Sequence, residues 1–444
     1  MNDIMLTVIL PSLNVVQYIG QCLDSVINQT YKELDIICVD AGSTDGTLEV
    51  IEQYADIDKR IRIINCEKKS YGIQVNMAMD IAYGKYIAIV DTDDFISLDM
   101  YSKLVMMAEK NNLDYIKANY TEYYQFNNNK VYEHRKSIIS ESKWYNHVIN
   151  PKELPQLHCQ DGYLWCGIYN IDFIKINGIR FNTTSGAAFQ DVGFFHQVTY
   201  HANRVMFTDI DGYYYRILRD GNSISSPNGL KYMLQEYKRL IDENLIPIDD
   251  KLQWTYIYKK MILSFVAECD KDIIYNSFKN DSINLYLEEA VNLMQESFKY
   301  LKMMDFNETY WEKVQLLITD KNKFAQQQSK KAQAIKCLIN KCEVHINISQ
   351  DAQIVVFGCG IRGKRIAELL MKHGIHLSAF VDNDVRKTGK TIDGVNVTTL
   401  KSNITKNVLY LISIKNHEDD IKNQLLSNGI PINNIYVPDC YIWI

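Results

Sequence analysis

The run Ile87-Ala88-Ile89-Val90-Asp91-Thr92-Asp93-Asp94 constrains this chain most, because an apolar strand passes directly into a cluster of carboxylates. Unbroken apolar residues suit a strand buried on both faces of a parallel sheet. Asp91, Asp93 and Asp94 then emerge at its C-terminal end, where open α/β sheets bind ligands. Carboxylates this close repel one another unless a cation lies between them, and hard oxygen donors favour Mg²⁺ or Mn²⁺. Such a cation, completed by water and phosphate, points to a diphosphate; a solvated acidic turn is the alternative for a D-x-D run taken alone.

Upstream, strands alternate with helices. Strands are expected at Leu6–Leu10, Leu34–Val39 and Ile61–Ile64, and helices at Tyr18–Gln29, Thr47–Tyr54 and Ile73–Ala82. This alternation predicts βαβ units, right-handed crossovers and a mainly parallel sheet in an α/β fold. Polar residues follow each strand: Pro11 and Asn14 after the first, Asp40-Ala41-Gly42-Ser43-Thr44-Asp45-Gly46 after the second, and the Asp91 cluster after the fourth. Asp40 is placed to accept the N3–H of a uracil ring, or serves turn chemistry. Asp45 reads as the N-cap of the following helix.

Thr7-Val8-Ile9-Leu10-Pro11-Ser12-Leu13-Asn14, Cys22 to Tyr31, Val39 to Thr47, Tyr71 to Asn76 and Ala82 to Asp94 resemble, in order and spacing, family 2 glycosyltransferases of the GT-A fold. The likeness is dense over residues 5–120. Leu13 stands where an aromatic is usual, and Ala41 where a second acid is common. The resemblance implies that Asp40 reads the uracil and Pro11 lines the base pocket, with Asn14 beside it. It also implies that Asp91 touches the ribose and Asp93 holds Mn²⁺ or Mg²⁺ on the diphosphate. Thr92 lies between these two, and Asp94 supports them or touches the donor sugar. Gln74 and Asn76 either offer amides to the donor or pack their helix.

Inverting transfer needs a carboxylate to take the acceptor proton, and Gln190-Asp191-Val192-Gly193 resembles the family's Glu-Asp motif at a helix start. Asp191 is therefore the candidate base, with a helix N-cap as its structural alternative. Gln190 stands where Glu is usual; its amide can orient or bind a sugar but cannot share the proton. Arg216 and Arg219 either approach the diphosphate or the acceptor, or are surface charges. His196 and His201 do not share a helix face and read as structural.

A chain of 444 residues with 47% hydrophobic and 23% charged residues fits a soluble protein of two or three domains. Net charge −6 argues against nucleic-acid binding. The ten cysteines have no C-x-x-C pair, which suits reduced thiols and a cytoplasmic setting, and no leader or spanning segment is evident. We expect a catalytic domain at 1–229, a helical extension or linker at 230–347 and a Rossmann-like domain at 348–444. Between Lys321 and Lys341 lie six lysines and no acid, a solvated linker helix or a peripheral contact with anionic lipid at the inner face of the plasma membrane. Further on, Gly358-Cys359-Gly360-Ile361-Arg362-Gly363 follows a strand and opens a helix, and Asp382 ends the next strand. That is a dinucleotide fingerprint in context, yet the segment is short for a complete Rossmann domain. It resembles small modules attached to bacterial sugar transferases, which either bind a nucleotide or serve packing and dimerisation. The apolar end Ile442-Trp443-Ile444 is suited to docking, including on a second subunit of a homo-oligomer.

The expectation is a metal-dependent, inverting transferase that moves a sugar from a UDP-sugar to a glycan or lipid-linked acceptor in bacterial surface polysaccharide synthesis. The alternatives are an oxidoreductase or sugar-nucleotide-modifying enzyme centred on the C-terminal fingerprint, or a non-catalytic sugar-nucleotide binder.

Overall fold

The computed structural model describes residues 5–443 apart from 126–130, 161, 219–227, 277–280, 303–304, 350 and 403–406. Strands β1 (Leu6–Ser12), β2 (Leu34–Asp40), β3 (Ile61–Asn65) and β4 (Tyr86–Ile89) form a parallel half-sheet, with helices α1 (Val16–Ile27), α2 (Thr47–Ile57) and α3 (Tyr71–Asp80) as the crossovers. Every residue of β1, β2 and β4 is buried, as expected where helices cover both faces. The register aligns Ser12 with Asp40 and Asp40 with Asn65, so the polar strand ends share one edge.

The sheet continues through β5 (Phe95–Ile96), α4 (Met100–Asn111), β6 (Tyr115–Gln125), β7 (Val131–Lys136), β8 (Gly167–Asn170), α5 (Ile171–Ile176), α6 (Gln190–His201) and β9 (Val205–Arg216). Its order is β3-β2-β1-β4-β8-β6-β9-β5, with β7 beside β6. Beyond β4 the pairing is mixed, β8 running antiparallel to both β4 and β6. β9 runs on to Arg216, where Tyr214 stacks on Phe95 at 4.6 Å and the strand pairs with β5. That extension carries Tyr213 and Arg216 to the Asp91 cluster.

Helices α7 (Gly229–Asp242), α8 (Lys251–Asn276), α9 (Asp281–Ser297), α10 (Glu308–Thr319) and α11 (Lys321–Ile348) enclose a second core around Tyr237, Trp254, Phe265 and Leu317. Phe189, Val192 and Tyr200 of the α6 region pack against it, so these helices support the first sheet and its helices. α11 is more than a solvated linker. Phe324, Gln328, Ala332, Ile335 and Leu338 are buried at helical spacing while Lys323, Lys330 and Lys336 are exposed.

A second sheet follows, built from β10 (Gln353–Phe357), α12 (Ile361–Met371), β11 (Ala379–Val381), β12 (Thr391–Ile392), β13 (Val395–Thr398), β14 (Val408–Ile412), α13 (Glu418–Ser427) and β15 (Ile435–Tyr436). Its order is β12-β13-β11-β10-β14-β15, parallel except for the β12–β13 hairpin. Alternate residues of β10 enter opposite cores: Ile354 and Val356 face one, Val355 and Phe357 the other. Ile442 packs into the first of these rather than offering itself to a partner subunit; Ile444 lies outside the described residues.

Candidate active site

The aligned strand ends organise the donor side. Asp40 is buried and folds back on its own loop, its Oδ2 accepting from the N–H groups of Gly42 and Ser43 at 2.9 Å each. Asn14, at φ 53°, accepts from Thr44 N–H at 2.8 Å, and its own N–H donates to Ser43 Oγ at 3.0 Å, which locks the first two loops together. Asp45 is not the N-cap; Gly46 holds that position at φ 101°. The Asp45 carboxylate instead accepts from Thr47 N–H and from Val16 N–H at 3.0 Å each, joining the starts of α2 and α1.

Gln74 and Asn76 are braces. Gln74 is buried, and its amide nitrogen donates to the carbonyls of Ser12 (2.9 Å) and Val39 (2.8 Å), using both protons. Asn76 pairs in both directions with the backbone of Phe181, at 3.0 and 3.1 Å. The donor contact considered for these two amides is replaced by internal bonds.

The three acids after β4 take different environments. Asp91 accepts from the Tyr71 hydroxyl at 2.9 Å, and Thr92 Oγ1 donates to the Pro11 carbonyl at 2.8 Å. Asp94 is buried and accepts from the Tyr213 hydroxyl (2.8 Å) and Arg216 N–H (2.6 Å). Burial, then the charges of Asp93 and Asp91, push its carboxyl well above the usual range, while those two hydrogen bonds oppose the rise. Arg216 is half-buried and tied into the loop of acids. Its Nε donates to the Asp93 carbonyl at 2.8 Å and its Nη2 to Gln21 Oε1 at 2.6 Å, with Tyr18 and Tyr123 rings about its guanidinium. Arg219 lies outside the described residues.

The start of α6 meets the start of α3 through Gln190 and Gly72. Asp191 sits in the first turn of α6; Phe189, at φ 65°, is the N-cap. Burial raises the Asp191 carboxyl to about 6, against the pull of the helix N–H groups and of Lys117 and Lys260. Gln190 is a buried brace: Oε1 accepts from Gly72 N–H at 2.9 Å and Nε2 donates to Thr184 Oγ1 at 2.8 Å and to the Thr184 carbonyl. An ionised glutamate could make the first bond but could not donate the others. Gly72 is required here, since a Cβ would collide with the Asn182 carbonyl. Tyr71 joins the halves: its N–H donates to the Gly186 carbonyl at 2.9 Å, its hydroxyl reaches Asp91, and burial followed by the charges of Asp91, Asp191 and Asp93 pushes its pKa well above the usual phenol range. Tyr71 therefore lies within electrostatic reach of both the donor-side acids and the acceptor-side Asp191.

His196 is structural, its ring bonded to His158 (3.0 Å) and Tyr237 (3.3 Å); burial pushes His158 down to about 3. Tyr213 and Lys117 carry no sequence signal of their own, being two of many Tyr and Lys residues, and Tyr71 is marked only as part of the Tyr71 to Asn76 segment.

Among the described residues no group of three or more His, Cys, Asp or Glu could hold a metal by itself. Asp93, nearly buried beyond the end of β4, suits a cation that takes most of its shell from diphosphate and water, the usual habit of Mg²⁺. In the C-terminal sheet, Gly358 has φ 100° and a Cβ at Gly363 would strike the Gly358 carbonyl, as a close strand–helix turn requires. Gly360 is open, but Asp382 is engaged internally, accepting from Cys359 N–H (3.1 Å) and pairing with Lys387 (3.0 Å).

The order and mixed pairing of the first sheet, with its helices, define a GT-A type of fold. Residues 7–171 match the family model "Glycosyl transferase family 2", and 350–436 match "C2185-like, N-terminal". Glycosyltransferase GlyG of Streptococcus pneumoniae is 26% identical over 48% of this chain and 70% of its own length. An uncharacterized glycosyltransferase of Bacillus subtilis, EpsJ, is 28% identical over 54% of this chain and 66% of its own length. The crystal structure of S. aureus TarS 1-349 in complex with UDP aligns with TM-score 0.53 and 17% identity, over 74% of this chain and 91% of that one. The chain thus carries a family 2 glycosyltransferase domain and is a glycosyltransferase.

Proposed function

We propose that the chain transfers a sugar, with inversion, from a UDP-sugar to a hydroxyl of a glycan or lipid-linked acceptor in bacterial surface polysaccharide synthesis. The observation that carries this reading is the place of Tyr71, which bonds Asp91 and lies within electrostatic reach of both Asp191 and Asp93. Asp40, Pro11 and Asn14 frame the base, Asp91 and Thr92 the ribose, and Asp94 fixes the loop through Tyr213 and Arg216. Asp191 takes the proton of the acceptor hydroxyl as that oxygen attacks the sugar carbon. Tyr71 and Gln190 hold the two substrate sides in register, which supplies the orientation such transfer needs. Asp93 would hold a divalent cation, which when bound would supply Lewis-acid stabilisation of the departing diphosphate. Residues 1–229 act as the catalytic domain, 230–347 as its helical extension and 348–444 as a Rossmann-like module.

Likeness to a UDP-bound structure supports the donor class. No described helix is long and apolar enough to cross a membrane; a lipid-linked acceptor would be met from the inner face. The test is Asp191→Asn assayed with a panel of UDP-sugars. UDP affinity should persist while turnover falls at least about a hundredfold, and wild-type turnover should rise with pH through about 6. Full activity in Asp191→Asn would refute the assignment of the base.

A further inference from the structure

α6 lacks an acid at Gln190, yet a second carboxyl reaches its first turn from outside the catalytic sheet. Glu236, on α7, is 1% exposed. Its Oε1 accepts from Asn182 Nδ2 at 2.8 Å, on the loop leading to Thr184 and Gln190. Its Oε2 is buried against Gly193 of α6, whose N–H draws on it weakly, with no full hydrogen-bond partner among the described residues. This approach depends on glycine: a Cβ at Gly193 would fall well inside contact distance of Oε2. Groups facing Glu236 are Asn182 from the loop, Arg239 from α7, and Asp191 with the Gly193 N–H from α6.

We propose that Glu236 is a positioning residue for transfer, tying the acceptor loop at Asn182 to the first turn of α6 and so setting where Asp191 stands. The inference rests on the reading of Asp191 as the base. Two observations favour more than ordinary packing. An acid buried this deeply is costly unless it is neutral or paired, and it is pushed up to about 8, chiefly by burial and in part by Asp191. Interacting carboxyls whose acidities are driven apart are the usual arrangement where one must stay ionised beside the other.

The test uses the full chain, wild type and Glu236→Gln, with Gly193→Ala as a second route that displaces the carboxyl and leaves Glu236 in place. Glu236→Gln should bind UDP as the wild type does, because the groups that act on Glu236 are Asn182, Arg239, Asp191 and Gly193 and not the donor-side acids. UDP release from a panel of UDP-sugars should fall about tenfold in kcat in both variants with little change in donor KM. Carbon-13 carboxyl spectra give a readout independent of turnover. One glutamate should titrate near 8, vanish in Glu236→Gln, and move down by about half a pH unit in Asp191→Asn. A glutamate signal indifferent to Asp191→Asn, or kcat within about twofold of wild type in both variants, overturns the proposal. Failure of the wild type to bind UDP would instead overturn the proposed donor, while the carboxyl coupling would still decide the role of Glu236.

Discussion

Glu236→Gln also changes how stability depends on pH, by an amount that follows from burial. In the unfolded chain this carboxyl titrates at its ordinary 4.5; in the fold it is held up to about 8. The folded state therefore keeps a proton that the unfolded state releases. Stability from this group is complete below 4.5 and is lost as pH rises through 8. At about 1.4 kcal/mol per tenfold change in acidity, the loss is about 3 kcal/mol by pH 7 and roughly 5 kcal/mol above pH 8. Glutamine keeps an oxygen for Asn182 and carries no ionisable proton, so the variant should escape this loss. Urea unfolding of both proteins from pH 4.5 to 8.5 measures it, followed through the transition that reports the α7 core. The variant should gain on the wild type steadily with pH. A constant difference across that range would mean that Glu236 is ionised in the fold, and the argument from its burial would fail.

Arg216→Lys loses the fork that joins the Asp93 carbonyl to Gln21, and lysine cannot reproduce that geometry; calorimetry should show UDP affinity lower by about tenfold. Gly363→Ala forces a Cβ onto the Gly358 carbonyl and should destabilise the C-terminal sheet by about 1–3 kcal/mol. Hydrogen exchange should then quicken over residues 353–436 while UDP affinity stays unchanged. Tyr71→Phe removes the hydroxyl from Asp91 and should lower turnover about tenfold with stability little altered, measured as UDP release and thermal midpoint.

The parallel half of the sheet was legible because its signals are local. Buried strands are continuous apolar runs, and loops rich in Asp and Gly mark their ends. What was not legible depends on pairing at a distance. The amides of Gln74 and Asn76 look available in a helix, yet carbonyls from β1, β2 and Phe181 satisfy them, contacts that no spacing encodes. β9 runs on to Arg216 where Tyr214 stacks on Phe95, far apart in the chain. Gln190 reads as a departure from a motif, whereas its two-way bonding to Gly72 and Thr184 explains why an amide stands there. Glu236 lies in a helix whose pattern signals only amphipathic packing, and nothing near it in sequence marks it as a neighbour of Asp191.

The donor site is the centre of the account, and calorimetric titration with UDP tests it most directly, with and without Mn²⁺, on wild type and Asp93→Ala. The account predicts binding that requires Mn²⁺ and is lost in Asp93→Ala, whose carboxylate follows the buried β4 strand. Equal UDP binding in both proteins regardless of metal, or none in either, would contradict it.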